Sequence, residues 1–204
     1  MTEVQHLADL FHAPVDLRRH HVHTKVMCWL TVDRACRISR HYLGRERRDW
    51  IALRAAIADE VLQRGWNEAA RAFTAAYGSD DLDAAALEVG LSGLAAADDP
   101  RFVATVEAVE RHLRTGAVVR RYRYDDGLPG FEGGFHLCTA WLIRSLARIG
   151  RRDDARDLFE RMAALAGPTG LLSEEYAPAT GRALGNHPQA YSHLGLIEAA
   201  LALE

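Results

Sequence analysis

Thr24-Lys25-Val26-Met27-Cys28-Trp29-Leu30-Thr31-Val32 opens a helical stretch, running to Leu43, whose first half is apolar on nearly every side. A helix without a polar face is one that neighbours surround. The next stretch, Asp49 to Gln63, differs: Trp50, Leu53, Ile57 and Val61 form one stripe with charged residues opposite, and Asp49 offers an N-cap. Such a helix covers a core from outside. The contrast repeats down the chain. Leu82 to Leu94, Phe135 to Ile149 and Pro188 to Leu203 read as inner helices. The helix introduced by Asp99-Pro100, with Phe102, Val106, Val109 and Leu113 on one stripe, reads as outer, as does Asp153 to Leu165. No stretch sustains a period of two, so the expected fold class is all-α.

Inner helices beginning near residues 24, 81, 131 and 187 imply a repeat of about fifty residues, in the range of arrays of helical hairpins. An α-solenoid and an (α/α) toroid both alternate inner and outer helices. They differ in the loops before the inner helices, which in a toroid frame a central pocket. Here those loops, 64–81, 118–134 and 169–187, are long and polar. The expected architecture is therefore a portion of an (α/α) toroid, about seven helices in alternating inner and outer layers. Residues 1–18, broken by Ala13-Pro14, read as a lead-in, and 19–204 as the partial toroid domain.

Composition narrows the function. Of 204 residues, 49% are hydrophobic and 26% charged, ordinary for a soluble globular chain. A net charge of -3 gives no electrostatic case for nucleic acid. No apolar run approaches the ~18 residues of a membrane span, and no signal region precedes the first helix. Cys28, Cys36 and Cys138 lie in apolar runs and read as core thiols of a cytoplasmic protein. His21-x-His23 has two imidazoles but no acid or cysteine to complete a ligand set, so no metal is expected.

Chemistry concentrates in two loops. Arg120-Arg121-Tyr122-Arg123-Tyr124-Asp125-Asp126 leads into Gly127-Leu128-Pro129-Gly130-Phe131-Glu132-Gly133-Gly134, and Leu171-Leu172-Ser173-Glu174-Glu175-Tyr176 precedes Gly185-Asn186-His187-Pro188-Gln189. An apolar floor with a few convergent polar groups is the usual design for a small ligand. Aromatic faces suit the C–H surface of a sugar, and arginine, acids and amides suit its hydroxyls. Paired glutamates in a loop are also common as plain solvated surface.

Three collinear groups of motifs resemble one family, glycoside hydrolase family 15, which includes glucoamylases and bacterial trehalases. The first is Lys25-Val26-Met27-Cys28-Trp29 through Asp33-Arg34-Ala35. The second is Arg121-Tyr122, Asp126-Gly127-Leu128-Pro129-Gly130, Glu132-Gly133, Leu137-Cys138 and Trp141. The third is Gly170-Leu171-Leu172-Ser173-Glu174-Glu175-Tyr176, Gly185-Asn186, Pro188-Gln189-Ala190 and Ser192-His193. Tyr77-Gly78-Ser79, Leu82-Asp83-Ala84 and Asp99-Pro100-Arg101 match between them. The similarity runs in order from Arg19 to the C-terminus.

The resemblance implies an (α/α)6 toroid that hydrolyses α-glucosidic bonds with inversion, using two carboxylates ~6.5–9.5 Å apart and no cofactor. It assigns Glu174 as general base, or Glu175 if the register slips by one. Arg121 takes the place of the sugar-holding arginine, and Tyr122, Trp29, Lys25, Glu132 and Trp141 are further pocket residues. His193 is expected to orient the loop through a structural hydrogen bond. The chain also departs from the family. Where the general acid belongs, it reads Phe11-His12-Ala13-Pro14, and the nearest acids, Glu3 and Asp16, are out of register. Ala177 and His187 replace an aspartate and a phenylalanine. Family members are also considerably longer, so this chain corresponds to a C-terminal portion. Weak or absent hydrolysis is expected, with an α-glucoside or glucose-like sugar as ligand. A homodimer, or a missing N-terminal half on another chain, is the expected macromolecular partner. Two other readings are a non-catalytic carbohydrate-binding or regulatory remnant closing as a homodimer, and an unrelated helical-repeat scaffold.

Overall fold

The computed structural model describes residues 19–124 and 132–204. The lead-in, the expected general-acid region and Asp125–Phe131 lie outside the described residues. Among those described, seven α-helices alternate with short strands: α1 (Val22–Leu43), α2 (Arg48–Arg64), α3 (Glu88–Leu91), α4 (Pro100–Leu113), α5 (His136–Arg148), α6 (Arg152–Ala164) and α7 (Ala190–Ala202).

Local chemistry sets the ends. Gly44, in the left-handed region at φ 59°, closes α1, and its N–H donates to Ser39 O. Asp99 caps α4 by accepting from Arg101 N–H at 2.9 Å, with Pro100 at the first helical position, as the sequence suggests. Asp49 is not a cap. Arg47 holds that place and Asp49 sits within the first turn of α2, where a carboxylate still favours the positive end of the helix dipole.

The stretch 82–94 is not one helix. A 3-10 turn, Ala84–Leu87, capped by Asp83, passes into the single turn of α3. Two glycines fit this short element into its place. Gly93, at φ 88°, turns the chain, and a Cβ on Gly90 would lie 2.2 Å from the Phe102 ring of α4. Its side chains are inner nonetheless: Ala84, Ala85, Ala86 and Leu87 are all buried.

The loops contain sheet that the sequence does not announce. β1 (Trp66–Asn67) pairs with β2 (Ala72–Phe73). β3 (Arg114–Thr115), β4 (Val118–Val119), β5 (Gly134–Phe135), β6 (Glu175–Ala177) and β7 (Arg182–Leu184) form an antiparallel five-stranded meander. Each strand has two or three residues, too few to show a period of two. The meander gathers the loops that enter α5 and α7, pairing Gly134 with Tyr176 and Phe135 with Glu175. At Gly134 a Cβ would come within 2.5 Å of the Val118 side chain, so the strand pairing requires glycine there.

The core lies where α5 meets the 3-10 turn, α4 and α6. Phe102, Val106 and Val109 of α4, Leu142, Ile143 and Leu146 of α5, and Leu158 and Met162 of α6 are all fully buried. Each such side chain contributes roughly 1.5–3 kcal/mol by leaving water. The edges differ from this centre. α7 buries only Ser192, Gly195 and Ala199 against α5, leaving Tyr191, Leu194, Ile197 and Leu201 exposed. α1 leaves Ile38, Tyr42, Leu43 and Cys28 exposed, and α2 fully buries only Val61 of its stripe. The expectation of inner burial thus holds for α5 and fails for the outer faces of α1 and α7, because no element of the described chain packs there. For the same reason Cys138 alone is a buried thiol; Cys36 is half-buried. Among the described residues, no helix is long and apolar enough to cross a membrane.

Candidate active site

Where the loops meet the starts of α5 and α7, a cavity of about 290 Å³ opens. His23 of α1, Arg121, Leu137 and Trp141 of α5, Glu174 and Gln189 are among its lining. That volume is at the lower end of small-ligand pockets, about 300–1,000 Å³. The fold therefore brings Glu174, Arg121 and Trp141, from three separate stretches, to one space.

Glu174 precedes β6 and is held tightly. Its N–H donates to Asn186 O at 2.8 Å, and its own carbonyl accepts from His136 N–H at 3.2 Å. The carboxylate oxygen Oε2 accepts from the Asn186 backbone N–H (3.1 Å) and side-chain amide (2.9 Å). Both bonds fall on the same oxygen; among the described residues Oε1 carries no hydrogen bond. Gly185 makes this approach feasible. It sits at φ 69°, and a Cβ there would lie 2.8 Å from both Cβ and Oε2 of Glu174.

Glu175 has a different environment. Successive residues of an extended strand point to opposite faces, and the Glu175 carboxylate accepts from Gly133 N–H at 2.7 Å, away from the cavity lining. Burial raises its pKa, offset by the Gly133 bond and reinforced by the charges of Glu132 and Glu174. Two adjacent glutamates thus occupy two environments.

Arg121 is placed by its backbone, whose carbonyl accepts from Ala84 N–H at 2.8 Å. Its guanidinium lies 3.8 Å from the buried Asp83 and 5.4 Å from the Tyr122 ring. Tyr122 stacks on Tyr124 at 4.2 Å and does not line the cavity. Glu132 lines a neighbouring cavity of about 360 Å³ with Gly133 and Arg182. Lys25 turns toward Glu60 of α2, 3.9 Å away. Trp29 is buried and lines no described cavity, whereas Trp141 lies beside His23, ring centroids 6.3 Å apart. A larger cavity, about 600 Å³, lies between α4 and the 69–82 loop; Arg123 and Tyr124 of the arginine- and tyrosine-rich loop line it, but neither Glu174 nor any of the expected sugar-binding residues does.

Several site residues escape the sequence reading of roles. His23 reads there only as half of an incomplete metal pair, yet it lines the cavity, and burial lowers its pKa, with Asp83 opposing and Arg121 adding to the effect. Asp83 reads as part of a matching motif; its carboxylate caps Ala85 and is raised in pKa by burial, against the pull of the Ala85 bond and Arg121. Asn186 and Gln189 are legible only as polar residues in a rich loop. No sequence spacing predicts that Asn186 would clasp Glu174, because that contact depends on the β6–β7 pairing of Glu175 with Leu184. Ala177 ends β6, and His187 is exposed.

Comparison with known proteins gives one family. A family model described as Glycosyl hydrolases family 15 matches residues 16–201. A trehalase from Mycolicibacterium smegmatis is 41% identical over 189 residues, covering 90% of this chain and 28% of that protein. Among solved structures, a glycosidase in complex with glucose superposes with a TM-score of 0.77 at 22% identity, covering 93% of this chain and 53% of that one. A bacterial glucoamylase complexed with acarbose gives 0.74 at 13% identity, covering 90% and 33%. These structural likenesses establish the fold as a portion of the (α/α) toroid. The chain spans less than a third of the curated trehalase it matches.

Proposed function

This chain belongs to glycoside hydrolase family 15, and from that premise we propose that it carries the general-base half of an α-glucosidic bond-cleaving site. The observation that carries the reading is the convergence of Glu174, Arg121 and Trp141 on one cavity. Trp141 offers an apolar face to a sugar ring. Arg121, with Asp83 beside it, offers a donor and an acceptor to neighbouring hydroxyls. A glucose-like unit is the ligand that suits this lining, and the glucose in a structurally similar glycosidase supports that choice.

In the inverting reaction, Glu174 accepts a proton from water, the water oxygen bonds to the anomeric carbon, and the glycosidic C–O bond breaks. The leaving oxygen takes its proton from a carboxylic acid on the opposite face, ~6.5–9.5 Å from the base. Asn186 fixes one oxygen of Glu174 and leaves the other for the water. Glu175 does not suit the role, because it is bonded to Gly133 outside the cavity lining. Glu174 is the one acid among the described residues that line this cavity, so these residues alone turn over substrate weakly or not at all. Loss of an acid partner costs ~10²–10⁴-fold. We place the protein in the cytoplasm.

The test is glucose release from trehalose and from maltose by the purified chain, with Glu174→Gln as control. The reading expects little or no release from either. Fast release that Glu174→Gln abolishes contradicts the expected weak turnover, and fast release that survives the substitution contradicts Glu174 as the base. A second reading, in which two copies close on each other as a carbohydrate-binding remnant, draws on the exposed apolar face of α7.

A further inference from the structure

The first turn of α7 reaches back to the loop that carries Glu174. Gln189 N–H donates to Leu172 O at 2.9 Å, and the Ser192 hydroxyl donates to Ser173 O at 2.7 Å. The third bond runs the other way: Leu172 N–H donates to Nε2 of His193 at 3.1 Å. Leu172 and Ser173 are both buried. Their polar groups therefore have no water to fall back on if α7 lets go.

The third bond has a chemical condition. A backbone N–H only donates, so the ring nitrogen that receives it must be unprotonated, which assigns the Nδ1–H tautomer. An imidazolium would set two N–H groups against each other and leave Leu172 N–H buried without an acceptor. The ring's surroundings offer no substitute. From α5, the facing group is His136, fully buried and lowered in pKa to about 4 by burial and by the charge of His193. From the loop, the acid two residues beyond Leu172 is Glu174, whose Oε2 is engaged by Asn186. Further along the α5–α7 contact, Arg144 and Glu198 pair with each other at 2.6 Å.

We propose that His193 is a positioning residue for the general base, acting through Leu172, and that it holds the Glu174 loop only as the neutral imidazole. A proton on Nε2 would remove the acceptor and release the loop from α7. This rests on the reading of Glu174 as base and extends it.

The experiment uses the full chain, isotope-labelled, with glucose as probe. Long-range nitrogen–proton spectra report the His193 tautomer, and the Leu172 amide reports the bond as pH is lowered. Glucose affinity is compared at neutral pH among wild type, His193→Gln, which keeps an acceptor, and His193→Leu, which does not. The expected results are the Nδ1–H form, a Leu172 amide shift with the same midpoint as the His193 ring, and glucose affinity within about threefold for His193→Gln. His193→Leu should bind ~10-fold or more weakly, the scale of a buried N–H left unpaired. An Nε2–H tautomer, a Leu172 amide indifferent to the His193 midpoint, or wild-type affinity in His193→Leu overturns the proposal. Should His193→Leu fail to fold, the wild-type titration and His193→Gln decide it. Absence of glucose binding by the wild type counts against the proposed function, while the tautomer and the amide titration still judge His193.

Discussion

Gly185 shows how much one missing side chain carries. Its backbone is in the left-handed region, and the space a Cβ would take belongs to Glu174. Gly185→Ala should cost about 1 kcal/mol or more from the backbone alone and push Glu174 off Asn186. The expected outcome is a lowered melting temperature together with weakened glucose binding; unchanged binding would separate Gly185 from the site. His136 makes a second test at this scale. Its folded pKa, about 4, lies below the ordinary 6.5 because burial disfavours the imidazolium. Folding stability from this residue is complete above pH ~6.5 and is lost as pH falls toward 4, by up to about 3 kcal/mol. Glu175 and Asp83 have raised pKa values, so they act oppositely, and their ionisation costs stability as pH rises past the ordinary carboxylate range. Urea unfolding across pH should show the His136 slope, and His136→Leu should flatten it. From sequence, Glu174 and Arg121 could be singled out because motif and chemistry agreed. His23 and Asp83 could not be given roles, since their setting is created by the distant Arg121 loop.

At the scale of elements, caps and stripes were readable and loop structure was not. Asp99-Pro100 starts α4 as written, and Asp99 also grips Arg101, whose guanidinium donates to Leu62 O and ties α4 to α2. Asp99→Ala should therefore cost about 0.5–2 kcal/mol, read as a lower urea midpoint with unchanged slope. A loss below that range would mean that Arg101 holds the contact without its partner. The five-stranded meander was hidden because its pairs join residues such as Phe135 and Glu175, forty positions apart, through strands too short for periodicity. The 82–94 composition suits a full helix, but Gly93 turns the chain after the single turn of α3, where Gly90 admits the Phe102 ring.

For the whole molecule, alternating layers were legible because α5 is apolar on most of its faces, burying Cys138, Ala140, Leu142, Ile143 and Leu146, while α4 and α6 have one stripe each. What the pattern did not convey is that α1 and α7 stand at open edges. Leu194, Ile197 and Leu201, each more than half exposed, lie on one face of α7. Contiguous apolar surface of this kind marks an interaction face. In the dimer reading the chain should self-associate with rising concentration, and Ile197→Glu should reduce association without lowering the melting temperature. Light scattering that shows a monomer at every concentration would instead contradict the dimer reading.

The central claim is that Arg121, Trp141 and Glu174 form one sugar-binding cavity. Calorimetric titration of the folded chain with glucose tests it most directly. The account predicts measurable binding that is lost in Arg121→Ala and in Trp141→Ala, each still folded. No binding by the wild type, or binding indifferent to both substitutions, would contradict it.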